Sequence, residues 1–246
     1  MATKTRDERI DALDALDATN ELSHRLIAKA MKDKSPSLRT NAVQLAEKHQ
    51  ILSLRPNVEL LLHDKSWMVR AQAAVCIGEL LELTGKPHKL LRSLLRDENW
   101  VVRIDAMESL ERIEDVAAIP LIAKLLRDEN GIVRSYCATI LAREDGDRYR
   151  PIIEKLLKHE YDPHARVGFL AALIHLGSNQ LLPELLGFLK SDIYQIRCAV
   201  IHNLEDVYLK PGDRSTVIST LEKLRRKEPT RAVRSTVTSA LKLLRT

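Results

Sequence analysis

The most regularly spaced charged residues in this chain are carboxylates and arginines. Seven arginines recur with a period of roughly 32 residues: Arg39, Arg70, Arg103, Arg134, Arg166, Arg197 and Arg234. Six of them have an acidic residue six positions earlier: Asp33, Asp64, Asp97, Asp128, Glu160 and Glu228. The sixth copy offers Ser191 and then Asp192, so its acid slips by one place. A carboxylate in a turn can accept hydrogen bonds from helix N–H groups and from an arginine fork in the next repeat. We therefore expect a structural role, and not ligand binding, for all seven arginines.

Other residue types that could do chemistry lack the spacing that chemistry requires. His159–Glu160 is the single His-Glu pair, and His164 follows five positions after His159, which does not make an H-E-x-x-H zinc motif. The eight glycines do not cluster into a phosphate-binding loop. Asp105 and Glu108 share one predicted helix face and could serve acid–base catalysis, although such pairs are commoner on solvated helices. We predict no catalytic residue, no metal, no cofactor and no enzymatic activity.

The elements that position the arginines are helical hairpins. Offsets −1, +3 and +7 from each arginine are apolar and trace one face of a helix, which we call helix B. An earlier apolar segment, helix A, ends nine positions before the arginine at Leu61, Leu94, Leu125, Leu157 or Phe188. One such hairpin cannot bury its apolar face alone, so neighbouring hairpins must stack.

Prolines and turn residues mark the ends of these helices. The prolines precede their arginines by a nearly constant interval: Pro56, Pro87, Pro120, Pro151 and Pro183. That spacing predicts that they lie in the opening turn of helix A, where the missing N–H costs nothing. The segments 64–66, 97–99 and 128–130 supply the turn and the N-cap of helix B.

Three copies carry the pattern most clearly: LLHDKSWMVRAQAAVCIGEL, LLRDENWVVRIDAMESLERI and LLRDENGIVRSYCATILARE. They resemble HEAT repeats, in particular the short bacterial type similar to the phycobilin-lyase HEAT-like family, and the resemblance covers residues 20 to 246. It implies an all-α, right-handed α-solenoid of about seven helical hairpins plus an N-terminal leader helix. It also implies that the B helices line the concave side and that the acid–arginine pairs form a structural ladder. The resemblance is specific for architecture and unspecific for activity.

The predicted domain organisation uses the whole chain. We expect a single solenoid domain over residues 1–246, with a capping helix in residues 1–19 and seven repeats in residues 20–246. No apolar run is long enough to predict a membrane span, and the first residues lack the apolar core of a signal peptide. Cys76, Cys137 and Cys198 occupy three different predicted helices, which is typical of buried thiols in a reducing compartment. We expect a cytoplasmic protein.

The charges on the predicted concave face indicate which class of partner it could bind. Offsets +2, +5 and +9 contribute the cations Lys48, Arg112 and Arg143 and the acids Glu79, Asp105, Glu108 and Asp206. Because a groove that follows a nucleic-acid backbone needs positive charge, this mixed face favours a protein partner. Three positions before the arginine, Trp67, Trp100 and Tyr194 either pack between repeats or form an exposed contact strip that Tyr136 could extend. The predicted partner-binding residues are Trp67, Gln72, Trp100, Asp105, Glu108, Tyr136 and Arg143.

The positive charge of the chain is concentrated in its last part. Residues 210–246 hold ten basic and three acidic residues, whereas residues 1–209 hold 29 basic and 31 acidic ones. The densest run is Lys223, Arg225, Arg226, Lys227 and Arg231. It is either a solvated cap or a basic patch for an acidic protein or nucleic acid.

Three functions remain in order of preference. The first is a non-enzymatic protein-binding scaffold or adaptor that uses the concave face. The alternative is a nucleic-acid-binding protein that uses the basic patch. The minor alternative, by family analogy alone, is an enzyme similar to a bilin lyase.

Overall fold

The computed structural model describes residues 5–17, 19–82, 89–207 and 209–245, and all regular structure within these ranges is helical. The predicted all-α repeat solenoid is confirmed in that part of the chain. The fold divides into two compact units, Met1–Leu121 and Ile122–Thr246. The helices of each unit follow in chain order.

The first unit contains a leader helix and three hairpins. Its helices are α1 (Arg6–Asp14), α2 (Glu21–Ala30), α3 (Pro36–Lys48), α4 (Arg55–Leu61), α5 (Trp67–Glu82), α6 (Lys89–Leu94) and α7 (Trp100–Arg112). Short 3-10 turns at Leu52–Leu54 and Val116–Ala118 precede the next helix A. The B helices α3, α5 and α7 pack on one another in order, and α1 packs on α3 as the predicted leader helix would. A short helix, α8 (Ile119–Ile122), crosses the boundary between the units.

The second unit contains the remaining hairpins. Its helices are α9 (Gly131–Leu157), α10 (Pro163–His175), α11 (Leu182–Gly187), α12 (Tyr194–Asp206), α13 (Pro211–Lys227) and α14 (Arg231–Leu243). The 3-10 segments are Ala123–Arg127, Asn179–Leu181 and Phe188–Lys190. The first part of α9 packs on α10, which packs on α12, which packs on α14. The B helices therefore stack in sequence order in this unit as well.

The core consists of the apolar positions that the repeat predicts. The side chains at offsets −1, +3 and +7 from the arginines expose at most 2% of their surface in every copy. Phe169 is the largest of them, and the rest are mostly Leu, Val, Ile and Ala. Helix A ends at Leu61, Leu94 and Leu157 as predicted, whereas Leu125 and Phe188 fall in 3-10 segments that tighten the end of helix A.

One proline departs from the predicted position. Pro56 and Pro183 lie in the first turn of α4 and α11, and Pro120 is the second residue of α8. Pro151, in contrast, lies inside α9, so the prediction of an opening-turn proline was wrong there. The chain passes from one helix to the next through a single non-helical residue, Asp145 (φ −154°, ψ 58°), instead of a loop. The following helix therefore begins earlier than the proline indicates. Pro87 lies outside the described residues.

Three B helices end with a residue in the left-handed backbone conformation, and this residue stands at the same position of each repeat. The sequence pattern did not predict it. Gln50, Glu114 and Gly177 have φ values of 49°, 52° and 95°, and each stands at offset +11 from its arginine. In each case the next N–H donates to a carbonyl five positions back, for example Asp115 N to Leu110 O at 3.0 Å. This is the Schellman arrangement, which satisfies carbonyls at a helix end and favours glycine at the left-handed position.

Neighbouring B helices approach closely where small residues face each other. A Cβ built on Gly78 would lie 2.7 Å from Ser109 Cβ, and one on Gly168 would lie 2.5 Å from Ser135 Cα. Ser109 Oγ donates to Ala74 O at 3.0 Å across the α5–α7 contact. These glycines set the distance between successive B helices, and so the placement of the faces those helices expose.

Candidate functional site

The seven repeated arginines close their own turns. In every copy Nη1 donates to the backbone oxygen of the residue six positions earlier, at 2.6 to 2.8 Å. The acidic side chain of the same turn accepts from the N–H two positions later at 2.8 to 3.0 Å, as in Asp97 with Asn99 N. Asn99 and Asn130 then cap α7 and α9 as predicted. We call this row of turns and arginines the turn edge.

The rest of each guanidinium links neighbouring repeats. Nε and Nη2 form a two-bond fork to the carboxylate of the following turn, at 2.6 to 3.0 Å. We call each such pair a rung, and the described rungs are Arg39–Asp64, Arg70–Asp97, Arg134–Glu160 and Arg197–Glu228. The predicted ladder is confirmed, but its direction is corrected. In these four pairs the carboxylate accepts the arginine fork of the preceding repeat, and its own arginine binds the backbone carbonyl of the same turn.

The ladder is largely buried, and this sets the pKa values of its groups. Burial opposes the charge of Asp64, but hydrogen bonds from Arg39 and Ser66 outweigh it, so the pKa of Asp64 falls below its usual value. The pKa of Glu228 is lowered in the same way, with Arg197 and Thr230 outweighing burial. The hydrogen bond to Asp97 likewise raises the pKa of Arg70. In these three groups the charged state is favoured, as expected for residues that pair inside the fold.

One rung in the second unit is built differently. Ser191 takes the place of the acid in its own turn, because its Oγ accepts from Ile193 N at 3.2 Å, while Asp192 is exposed. Arg166, in the preceding repeat, turns to Glu184 in α11. That carboxylate is 43% exposed, compared with 3% for Glu228 in the next rung. Where the acid stands one position later in the sequence, at Asp192, Arg166 therefore pairs with Glu184 of α11 instead of a turn carboxylate.

A second set of links was missed from the sequence. Arg92 forks onto Asp115 with both bonds at 2.7 Å, and Asp115 is almost fully buried. At the equivalent place in the second unit, Arg150 donates to Ser178 Oγ at 3.1 Å and to Leu176 O. Asp115 and Ser178 both stand at offset +12 from their repeat arginine, directly after the left-handed helix end. That shared offset was the available signal.

The exposed face of α3, α5 and α7 carries a connected set of polar side chains. Gln44 Nε2 donates to Gln72 Oε1 at 3.0 Å, and Gln72 Nε2 donates to Glu47 Oε2 at 2.5 Å. On the same face Arg112 pairs with Glu79 at 3.2 Å. Gln72 was predicted as a binding residue, whereas Gln44 and Glu47 were not. We call this surface the unit 1 face; its members are Gln44, Glu47, Gln72, Glu79, Asp105, Glu108 and Arg112.

Two carboxyl groups of the unit 1 face, those of Asp105 and Glu47, have raised pKa values. Burial and then the nearby Glu108 raise the pKa of Asp105 to about 7. Burial, followed by the charge of Glu79, also raises the pKa of Glu47, although Gln72 opposes the shift. The pKa values of Asp105 and Glu47 on the face are therefore raised, whereas those of Asp64 and Glu228 in the ladder are lowered.

The two tryptophans are exposed to a similar degree. Trp67 and Trp100 are the first residues of α5 and α7, and they leave 42% and 39% of their surface accessible. Met68 is exposed beside Trp67. Both side chains are therefore exposed, and a contact strip built on them stays a prediction. Both residues border the turn edge of the first unit, at the N-terminal ends of helices that also carry Gln72, Asp105 and Glu108.

The remaining predicted binding residues, Tyr136 and Arg143, lie on α9 in the second unit. Tyr136 is 40% exposed. Arg143 lines a shallow groove of about 230 Å³, a volume that includes space open to solvent. The other lining residues come from α9, α10, α12 and the residue after α12: Thr139, Ala171, Ala172, His175, Asn203 and Val207. His175 stands at offset +9 from its arginine, as Glu79 and Arg112 of the unit 1 face do, and Asn203 stands at offset +6. Neither residue was predicted from the sequence. The side chain of Asp206, counted above on the same predicted face, lies outside the described side chains.

The basic patch lies on α13 and at the start of α14. Lys223, Arg225, Arg226, Lys227 and Arg231 are all exposed. Three of these residues occupy the last turn of α13, where cations also interact favourably with the helix dipole.

In the described ranges no group of three or more His, Cys, Asp or Glu side chains is placed to hold a metal ion. Burial raises the pKa of Cys76 to about 12 and that of Cys137 well above its ordinary value, while Cys198 is half-buried. In the same part of the chain no helix combines the length and apolarity of a membrane span.

Comparison with known proteins agrees with this geometry. The model of HEAT repeats matches residues 54–142, 87–169 and 119–205, which together exceed half of the chain. The structure of the complex of CpcE and CpcF of phycocyanin lyase from Nostoc sp. PCC7120 is similar, with a TM-score of 0.60 and 18% identity over 93% of this chain and 97% of that chain. The Escherichia coli protein YibA is also similar, with a TM-score of 0.52 and 20% identity over 98% and 93%. A search of curated proteins gave no match. The repeated arginine turns, the stacked B helices and the matched residues together show that this chain belongs to the HEAT-repeat family.

Proposed function

We propose that this chain is a non-enzymatic protein-binding scaffold and that the unit 1 face, bordered by Trp67 and Trp100, is a principal contact surface. HEAT repeats typically mediate protein binding. The similar structure from Nostoc is itself a complex of two proteins. These likenesses concern the fold, so the proposal depends on the residues of the face.

The observation that carries the proposal is the combination of exposed aromatic rings with a mixed polar surface. Trp67 and Trp100 present apolar area at the ends of α5 and α7. Along the same helices the face offers amide groups, four carboxyl groups and one guanidinium. Aromatic anchors beside polar groups of both hydrogen-bonding types are typical of protein interfaces.

The electrostatics of the unit 1 face indicate which partner chemistry it favours. The carboxyl groups of Glu47, Glu79, Asp105 and Glu108 outnumber the single guanidinium of Arg112. A phosphate backbone would be repelled there. A partner surface with lysine, arginine or amide donors would instead stabilise the ionised form of Asp105 and lower its pKa.

Site-specific photocrosslinking in the source cell tests the proposal. A benzoyl-phenylalanine at Gln72 or Glu108 should give one discrete, protease-sensitive adduct. The same residue at Leu60, which is 70% exposed on helix α4, is the matched control and should not give that adduct. Equal crosslinking from all three positions, or adducts that nuclease removes, would sink the proposal.

The captured partner then allows the tryptophans and Tyr136 to be ranked. Trp100→Ala and Tyr136→Ala should each weaken binding by about 2 kcal/mol if the two rings are anchors. Tyr161→Ala is the control, because Tyr161 is the most exposed described aromatic and lies in a turn. Circular dichroism must show that every variant is folded. Unchanged affinity in the folded Trp100 variant would remove Trp100 from the contact surface.

A further inference from the structure

We propose that the outward face of α13 binds the phosphodiester backbone of a duplex nucleic acid without sequence preference. The outward face consists of the exposed or half-exposed residues on the side of α13 opposite its buried residues Val217 and Leu221. Its members are Ser215, Thr216, Ser219, Glu222, Lys223, Arg226 and Lys227. This surface is separate from the unit 1 face and does not depend on the proposed protein partner.

The first argument is the charge that remains after local pairing. The three acidic residues of the last repeat are all engaged by other residues. Glu228 accepts the fork of Arg197 and Glu222 pairs with Arg245, whereas Asp213 in the first turn of α13 accepts from the neutral amide of Asn179 at 2.9 Å and keeps its negative charge. In the described ranges none of Lys223, Arg225, Arg226, Lys227 and Arg231 lies in an ion pair. The positive field of α13 is therefore not cancelled locally.

The second argument is the chemistry between the cations. The outward face carries hydroxyl groups, three cations and the carboxylate of Glu222, which pairs with Arg245, and none of its members is apolar. Phosphate contacts on duplexes come mainly from arginine, lysine, serine and threonine. Protein interfaces, by contrast, have an apolar core that is rich in aromatic residues. The composition of this face therefore favours phosphates over an acidic protein surface.

The third argument separates duplexes from single strands. Residues 209–245 contain no Phe, Tyr or Trp. Proteins that bind single strands without sequence preference stack bases on aromatic rings. From Ser215 to Lys227 the helix rises about 18 Å, and over that length a duplex presents about ten phosphate charges. The cations from Lys223 to Lys227 cover about 6 Å of this length, and hydroxyl groups extend the possible phosphate contacts along the rest of the helix.

Fluorescence anisotropy with a 20-base-pair DNA of random sequence tests the proposal. The full chain should bind, with log K falling against log salt at a slope of about −3 to −5, because each neutralised phosphate contributes about 0.9. Replacing Lys223, Arg226 and Lys227 together with Gln should flatten the slope by about 3 and reduce the affinity at 50 mM salt about tenfold or more. Single-stranded DNA should bind more weakly than the duplex.

A charge-matched variant controls for net charge. Lys29→Gln, Arg96→Gln and Lys155→Gln remove two lysines and one arginine from exposed positions on other helices or turns. This triple variant should keep most of the affinity and nearly the full slope. Circular dichroism of both triple variants excludes unfolding, which matters because Arg226 and Lys227 also stabilise the end of α13.

Three results would overturn the proposal. The native chain could fail to bind the duplex at 50 mM salt. The two triple variants could lose equal affinity, which would indicate net charge and not the outward face. Poly-L-glutamate could displace the duplex at an equal concentration of charge, which would assign the face to an acidic polypeptide.

Discussion

The turn edge and the unit 1 face are both rich in charged residues, yet they use charge in opposite ways. At the turn edge Asp64 and Glu228 each accept an arginine fork and a backbone N–H, and their pKa values fall. On the unit 1 face the pKa of Asp105 rises to about 7, because the group is partly buried beside Glu108. Charges that hold repeats together are matched inside the molecule. On the unit 1 face, in contrast, Asp105 and Glu108 bring two groups of the same charge close together.

The largest expected effect comes from breaking a complete rung. Arg70→Ala should lower the free energy of unfolding by about 3 kcal/mol, because it leaves Asp97 buried without its fork. Arg166→Ala is the matched substitution at the altered rung, where Arg166 and Glu184 are much more exposed. It should cost about 1 kcal/mol. Urea denaturation monitored by circular dichroism measures both, and equal midpoints would show that the forks do not carry the stability of the edge.

The two regions should also differ in the sign of their pH dependence. Asp105 has a folded pKa above its unfolded value, so its ionisation destabilises the fold progressively between about pH 4 and pH 7. Asp105→Asn should therefore raise the free energy of unfolding at pH 8 by about 2 kcal/mol, well below the full conversion of the shift because solvent screens a partly exposed group. At pH 4 the variant and the native chain should be nearly equal.

The ladder supplies the opposite case. Asp64 has a lowered folded pKa, so it stabilises the fold above its unfolded pKa, and that contribution is lost as the pH falls through the folded pKa. Asp64→Asn should destabilise the chain at pH 8. The exposed Asp192 provides the control, because Asp192→Asn should change little at either pH. A stabilising Asp64→Asn or a destabilising Asp105→Asn at pH 8 would abolish the distinction between edge and face.

The position two residues after the repeat arginine is at least partly exposed in some B helices and packed against a neighbouring helix in another. Offset +2 carries Gln72 and Asp105 in the first unit and the exposed Tyr136 in the second, but in the next copy it carries Gly168, where α10 lies against Ser135 of α9. Gly168→Ala should destabilise by about 2 kcal/mol, because its Cβ would lie 2.5 Å from backbone. Gly187→Ala, with nothing within 4 Å, should instead stabilise by about 0.5 kcal/mol. Thermal denaturation that ranks the two variants in the reverse order would contradict the close approach.

The stacking of the helices could be predicted in detail from the sequence. Residues at constant offsets from the repeat arginine indicate both which side of helix B is buried and where the turn before it lies. Every side chain at offsets −1, +3 and +7 is buried, and all seven arginines bind their own turns. The direction of the forks was not predictable, since an acid that precedes one arginine by six positions also follows the arginine of the previous repeat. The kink at Asp145 was not predictable either, because Pro151 gave the usual signal for a helix start.

The candidate site was predicted less completely. Exposure of Trp67 and Trp100 depends on how neighbouring repeats pack against the first turn of helix B, which residue type does not determine. Glu47 and Gln44 join the unit 1 face only because α3 and α5 lie side by side and Gln72 reaches both. The change of partner at Arg166 was visible as a slipped acid, but the choice of Glu184 depended on the position of α11.

The smallest expected effect concerns a residue that belongs to neither the ladder nor the face. Glu114 ends α7 with φ 52°, and its side chain is exposed, so Glu114→Gly removes left-handed strain without loss of a buried contact. Part of the gain is offset because glycine has more freedom in the unfolded chain. We expect a net stabilisation of about 0.5 kcal/mol in urea denaturation. Glu111→Gly changes the same charge inside α7 and should instead destabilise by about 1 kcal/mol. If both substitutions destabilise equally, the left-handed helix end contributes no strain, and the recurrence at Gln50, Glu114 and Gly177 is a matter of geometry alone.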